Sequence, residues 1–213
     1  MNKRHGWWPV LALLSLLLSG SISANASHKK MNMEKKALII IDVQNDYFKG
    51  GKMELFRPDA AADNIRRILE KCRKEGVPVI YIQHAADAAG GFLVANTTGA
   101  EIHPSVLPLP GEKIITKHYP NSFRETALLD YLKQIGVSNL IITGMMTHVC
   151  VDATTRAAKD LGFHCTVIAD ACATRALEVD HEKVSAADVQ RALIGSLGFY
   201  YADIVNTQQY LMR

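Results

Sequence analysis

Short apolar runs alternate with longer segments of helical periodicity along most of the chain. The runs are rich in β-branched residues, as in strands buried on both faces of a sheet, whereas the helical segments repeat apolar residues every three or four positions. The alternation predicts an α/β fold, a doubly wound, Rossmann-like parallel β-sheet with helices on both faces. The predicted strands are 37–42, 78–83, 113–116, 139–143, 163–169 and 202–205, and the predicted helices are 59–75, 124–136, 150–161 and 185–197.

The segment between the second and third predicted strands, residues 84–111, is polar and longer than a plain connection. Ligands of such sheets bind beside the carboxyl ends of the strands. We therefore expect this loop to shape an active site whose functional side chains come from the strand ends. Those ends carry Asp42, Gln83 and His84, Thr116 and Lys117, the segment 143–150, and Asp170.

The N-terminal segment predicts export. Lys3 and Arg4 precede an apolar run at 9–18, and a small-residue cleavage site ends at Ala26. We interpret residues 1–26 as a cleaved signal peptide, 27–36 as an N-terminal arm and 37–213 as the folded domain, and we expect a periplasmic or secreted protein. An uncleaved anchor is one alternative. A start at Met31 or Met33, which would make the protein cytoplasmic, is another.

The composition is that of one globular domain, with 48% hydrophobic and 21% charged residues among 213. The formal net charge is +3, and it falls by two when Lys3 and Arg4 leave with the signal peptide. A near-neutral domain has no electrostatic footprint for nucleic acid or for an anionic membrane. We therefore expect no nucleic-acid partner, and no membrane partner after signal cleavage.

The four cysteines do not predict a disulfide framework in a domain of this size. Cys72 continues one apolar face of a predicted helix, which favours a buried thiol, and Cys165 lies in a predicted strand. No cysteine pair has the spacing of a zinc site. Cys172, near a strand end, is either a packed loop thiol or a redox partner of Cys150.

Three ionisable side chains fall at the predicted ligand-binding edge. Cys150 follows a turn at Gly144 and lies in the first turn of a predicted helix, where backbone N–H groups favour a thiolate and can stabilise an oxyanion. Asp42 ends an apolar strand and needs a partner for its charge, which Lys117 could supply. Each alone also suits a structural role, as a buried thiol, a cap or a surface lysine. Together they form a set that activates a nucleophile.

Five segments of the chain form a recognisable series: IDVQNDY at 41–47, TKHYPNSF at 116–123, GMMTHVCVDAT at 144–154, TRAA at 155–158 and DACATR at 170–175. In order and spacing they resemble the motifs of isochorismatase-like cysteine hydrolases. The resemblance implies an Asp–Lys–Cys triad at Asp42, Lys117 and Cys150. It also implies a cis peptide between Met145 and Met146, which directs the N–H groups of Met146 and Cys150 toward an oxyanion.

The implied reaction is hydrolysis of a C–N bond in a small amide or lactam, through a thioester on Cys150. Asp42 transfers the protons in this scheme, and Lys117 stabilises the anionic groups. The resemblance also implies a homo-oligomer. We expect the substrate to contact side chains near the loop 84–111 and the segment 119–123. The candidates are Gln44, Phe48, His84, Phe123 and Thr147, although His84 also suits a surface or core position.

Departures from the family pattern narrow the function. Nicotinamidases of this family bind a metal through an Asp-x-His motif after the second strand, where this chain has Gln83-His-Ala-Ala-Asp87. The resemblance therefore implies no metal site and no cofactor, and it argues against a nicotinamidase. The segment 146–156 is most similar to the branch that includes streptothricin hydrolase, which opens a lactam. The alternatives are vinyl-ether hydrolysis, as in true isochorismatases, and a non-catalytic small-molecule-binding protein on the same fold.

Overall fold

A computed structural model describes residues 35–213, so the predicted signal peptide and most of the predicted arm lie outside the described residues. The strands are β1 (Lys36–Ile41), β2 (Val79–His84), β3 (Lys113–Lys117), β4 (Asn139–Met145), β5 (His164–Ala173), β6 (Leu177–Val179), β7 (Glu182–Val184) and β8 (Asp203–Val205). The α-helices are α1 (Pro58–Lys74), α2 (Leu128–Gln134), α3 (Asp152–Asp160), α4 (Ala186–Tyr200) and α5 (Thr207–Leu211). A π-helical turn, Thr147–Val151, leads directly into α3.

Six strands form one parallel sheet in the order β3-β2-β1-β4-β5-β8, and β6 and β7 form a separate antiparallel hairpin. Alternate residues of β1 serve two apolar cores. Leu38 and Ile40 pack with the buried face of α1, while Ile39 and Ile41 pack with that of α2. The predicted α/β architecture with a parallel sheet covered on both faces is therefore confirmed. None of the helices within residues 35–213 is long and apolar enough to cross a membrane.

Several boundaries differ from the predictions by one to a few residues, and three of these differences have a clear structural cause. Helix α2 begins at Leu128 instead of residue 124, because Glu125 has a φ of +55° and the Thr126 hydroxyl donates to the Ser122 carbonyl, which completes a turn. The helix predicted from residue 150 begins earlier, as the π-helical turn. Strand β5 continues past residue 169, because a register shift lets Cys172 pair with Gly144 of β4.

Gly144 allows the end of β4 to lie very close to β1. It pairs with Ile41, has a φ of +128°, and a Cβ built there would lie 2.0 Å from the Ile41 carbonyl oxygen. Only glycine fits this position, because any side chain would collide with backbone atoms and φ is unfavourable for an L-residue. The close approach brings the segment after β4 beside Asp42, the residue that follows β1.

Polar residues after β1 hold the long loop in place. The Gln44 amide donates to the carbonyls of His84 (2.8 Å) and Ala100 (2.7 Å) and accepts from the N–H of His84 (2.9 Å). The Asp46 carboxylate accepts from the N–H of Leu93 (2.6 Å) and is buried. The loop predicted at 84–111 is thus fastened to the end of β1 by side-chain hydrogen bonds.

We expect Gly144→Ala to destabilise the domain by more than about 3 kcal/mol, through the backbone collision and the unfavourable φ. Gly195→Ala is the matched control, because Gly195 is an exposed residue of α4 and a Cβ there meets nothing within 4 Å. The control should gain about 0.5–1 kcal/mol of helix stability. Urea unfolding measures both, and equal midpoints for the two variants would contradict this account.

Candidate active site

The structure brings Asp42, Lys117 and Cys150 together at the carboxyl edge of the sheet. Asp42 follows β1 and has a φ of +49°, which lies in the left-handed region that residues other than glycine rarely adopt. Lys117 is the last residue of β3, and Cys150 lies in the π-helical turn after β4. The strand-end rule therefore located all three residues, although their sequence separations reach more than a hundred positions.

The Lys117 ammonium connects the other two groups. Its Nζ lies 2.7 Å from Oδ2 of Asp42 and donates to Sγ of Cys150 at 3.3 Å. Asp42 and Lys117 have no exposed surface, and Cys150 is 5% exposed. A buried charge without a partner is costly, so Asp42 and Lys117 are either both charged or both neutral.

The Lys117 ammonium has a third neighbour, His84. The Lys117 Nζ lies 3.1 Å from Nδ1 of His84, which is its register partner on the neighbouring strand β2. An ammonium has three N–H donors and no acceptor, so Nδ1 of His84 accepts this hydrogen bond. Of the five predicted substrate-binding residues, all within residues 35–213, His84 is the one whose side chain forms a hydrogen bond with a side chain of this set.

The electrostatics favour a charged lysine. Burial alone would lower the pKa of Lys117, but the Asp42 carboxylate and the Cys150 sulfur oppose it, and the pKa is raised overall. For His84, burial and the neighbouring Lys117 charge both lower the pKa, so its ring is neutral at physiological pH. The described site therefore contains one positive and one negative charge beside two neutral groups.

Cys150 is a thiol in this resting arrangement. Burial raises its pKa most, the Asp42 charge raises it further, and the Lys117 charge offsets only part of the increase. Desolvation and the neighbouring carboxylate act against the helix N–H groups, which on their own would favour a thiolate. Formation of the thiolate requires a base inside the site, and Asp42 is the base at hand: within residues 35–213 neither of its carboxylate oxygens accepts a hydrogen bond, although Oδ2 lies 2.7 Å from the Lys117 Nζ.

Backbone and side-chain hydrogen bonds hold the turn that carries Cys150. The peptide bond between Met145 and Met146 is cis, and the carbonyl of Met146 accepts from the N–H groups of Val149 and Val151 at 3.1 and 3.2 Å. The Thr147 hydroxyl donates to the carbonyl of Ala173 at the end of β5 at 3.1 Å. These contacts leave the turn little freedom, so the position of the thiol is set by backbone geometry.

The other predicted substrate-binding residues have partners away from the triad. Gln44 and Thr147 use their polar groups on backbone atoms, as described above. Phe48 stacks on His103 with ring centroids 3.6 Å apart, and half-buried Phe123 stacks on Phe163 at 6.0 Å. A role for these four in substrate binding stays a prediction.

All four cysteines are free and buried. Cys72 is a core residue as predicted, with its sulfur 3.4 Å from the Tyr210 hydroxyl. Cys172 lies inside β5, not in a loop, and burial raises its pKa to about 12. Within residues 35–213, no group of three or more His, Cys, Asp or Glu side chains is arranged to hold a metal ion.

Sequence reasoning missed the contact between His84 and Lys117 and the role of the residues after Asp42. The first had a signal, since both residues end adjacent predicted strands and parallel strands in register bring their last residues together. The role of the residues after Asp42 had no sequence signal. The partners of Gln44 and Asp46 are backbone atoms of a distant loop, and backbone groups have no signature in the sequence.

Known proteins resemble this chain over most of its length. The isochorismatase domain family matches residues 36–193. The isochorismatase family protein YddQ of Bacillus subtilis (strain 168) is 44% identical over 176 residues, 82% of this chain and 98% of YddQ. The crystal structure of an isochorismatase-family protein from Oleispira antarctica has a TM-score of 0.83 at 41% identity, covering 85% of this chain and 98% of that chain.

Two further relatives have names that state an activity. Streptothricin hydrolase of Streptomyces noursei is 34% identical over 142 residues, 65% of this chain and 50% of that enzyme. The nicotinamidase of Escherichia coli (strain K12) is 26% identical over 215 residues and covers 83% of this chain and 100% of that enzyme. The family match over residues 36–193 and the near-complete alignment with YddQ show that this chain belongs to the isochorismatase family of hydrolases.

Proposed function

We propose that the protein is a cysteine hydrolase that cleaves the C–N bond of a small amide or lactam through a thioester on Cys150. The observation that carries the proposal is the buried contact of one ammonium, Lys117, with both a carboxylate and a thiol. A purely structural ion pair has no need of the thiol, whereas covalent catalysis needs a nucleophile beside a base. Relatives named for amide hydrolysis and for streptothricin hydrolysis support the same reaction class.

The first half of the reaction forms the thioester. Asp42 takes the proton of the Cys150 thiol, and the sulfur attacks the carbonyl carbon of the substrate. The N–H groups of Met146 and Cys150 are the proposed donors to the resulting oxyanion. The C–N bond then breaks, and the amine leaves with the proton that Asp42 had taken.

The second half regenerates the thiol. Asp42 removes a proton from a water molecule, and the hydroxide attacks the thioester carbonyl. The C–S bond breaks, the carboxylic acid is released, and the Cys150 sulfur takes back a proton from Asp42. Lys117 remains charged throughout and stabilises first the thiolate and then the carboxylate.

Intact-mass spectrometry of the protein incubated with a panel of small amides and lactams and quenched in acid tests covalent catalysis. We expect acyl adducts on the wild type and none on Cys150→Ala, because the acceptor sulfur is lost. Cys165→Ala is the matched control, since that thiol is also buried but lies in β5 without contact to Lys117. Its adducts should equal those of the wild type.

Two results would oppose the thioester mechanism. Product formation from these amides by Cys150→Ala at the wild-type rate would favour C–N hydrolysis that does not use the thiol. An absence of both adduct and product over a broad panel would favour vinyl-ether hydrolysis or a binding protein on this fold.

The buried ion pair gives a stability prediction. Lys117→Met removes the charge at similar volume and leaves Asp42 buried without its partner, which should cost about 3–5 kcal/mol of unfolding free energy. Adding Asp42→Asn removes the unpaired charge and should recover most of that loss while activity stays absent. Urea unfolding of wild type, single and double variants measures this, and a Lys117→Met variant as stable as the wild type would show that the pair is not ionised.

Export and homo-oligomerisation stay predictions, because residues 1–26 lie outside the described part of the chain and one chain is described. We propose that the enzyme acts outside the cytoplasm after cleavage behind Ala26. The mass of the protein recovered from its producing cell decides this, since the mature chain would begin at Ser27. A mass that includes the apolar run 9–18 would contradict cleavage.

A further inference from the structure

Hydrogen bonds hold the backbone of His84 and of the residue that follows it. Gln44 binds both its N–H and its carbonyl, and the next N–H, that of Ala85, donates to the carbonyl of Lys117 at 2.9 Å. The ring is half-buried and its Nδ1 points at the Lys117 ammonium. Its position relative to Lys117 is therefore set by backbone contacts on both sides.

The contact fixes the tautomer of the ring. Because Lys117 can only donate, Nδ1 must be unprotonated, and a neutral ring then carries its proton on Nε2. Nε2 has no hydrogen-bond partner among residues 35–213. A proton added at Nδ1 would both remove the acceptor and place an imidazolium beside the ammonium.

Charged and titratable groups reach His84 from three directions. Lys117 and His118 approach from β3 and the residue after it, and their charges disfavour a protonated ring. Asp42, at the end of β1, favours one, but its carboxylate is engaged with Lys117. Burial lowers the pKa of the ring most and the Lys117 charge lowers it further, so the neutral ring persists below the ordinary histidine pKa of 6.5.

We propose that His84 is a positioning residue: by accepting an N–H of Lys117 it directs the ammonium at Asp42 and Cys150, and protonation of its ring disables the site in acid. The proposal rests on the proposed function of Cys150 as the nucleophile. It assigns His84 a role toward Lys117, whereas the sequence indicated only a substrate contact.

Alkylation of Cys150 by iodoacetamide, followed by mass spectrometry, tests the proposal without a substrate. His84→Asn keeps an acceptor near the place of Nδ1 but cannot titrate, and His84→Leu has similar size and no acceptor. We expect His84→Leu to react about tenfold more slowly than wild type at pH 7, because an N–H of Lys117 is left without a partner. His84→Asn should react within about threefold of wild type. Equal slowing of both variants would overturn the proposal, since a packing defect would affect them alike.

The pH profile separates positioning from packing. As the pH falls through the lowered pKa of His84, the wild-type rate should fall more steeply than that of His84→Asn, because the wild type loses the neutral ring in addition to thiolate. The sign follows from the lowered pKa: the neutral, accepting ring is present at higher pH and is lost as the pH falls. Superimposable acid limbs for the two proteins would overturn the pH part of the proposal.

Nitrogen NMR of histidine rings gives a readout that does not depend on thiol reactivity. The resonances of His84, assigned by their loss in His84→Asn, should show an unprotonated Nδ1 and a protonated Nε2 at pH 7. The opposite tautomer would overturn the proposal. Acyl adducts test the hydrolase function separately, so an absent amidase activity with the expected tautomer and alkylation rates would reject the function and retain the positioning role.

Discussion

The ion pair between Lys117 and Asp42, with no exposed surface on either residue, is the contact on which the site depends. Removing two charges from water costs several kcal/mol each, and the cost is recovered only with close geometry and further hydrogen bonds. Lys117 meets that condition through hydrogen bonds with Cys150 and His84. The ion pair therefore requires its neighbours, and one of them is the proposed nucleophile.

The close approach of β4 to β1 at Gly144 provides the backbone geometry on which this ion-pair site is built. It brings the turn with Cys150 to the end of the strand that leads into Asp42, while the register of β2 and β3 brings His84 opposite Lys117. The polar residues after Asp42 act on the other side, where Gln44 and Asp46 hold the long loop against the site. Four strand ends and one loop are thus fixed relative to each other by a few short-range contacts.

The central strands and the three site residues could be predicted from sequence, because continuous apolar runs and strand ends have local signatures. The β6–β7 hairpin could not, since it is largely exposed, with Val179 62% exposed, and its turn at Asp180 and His181 adopts positive φ without glycine. Helix α5 had a signature that was missed, the capping box formed by Asn206 and Gln209. The raised pKa of Cys150 could not be predicted, because burial arises from tertiary packing, which helix position does not reveal.

The charge balance of the buried site explains why a resting thiol is compatible with catalysis. With Lys117 positive, Asp42 negative, and Cys150 and His84 neutral, the described cluster has no net charge. Loss of the thiol proton to solvent would leave a net negative charge in a dry environment, which is costly. Transfer of that proton to Asp42 instead pairs the thiolate with Lys117 and keeps the net charge at zero. The arrangement therefore disfavours loss of the Cys150 proton to solvent but permits its transfer to Asp42 within the site. Because oxidants react with the thiolate, a resting thiol is also protected from oxidation.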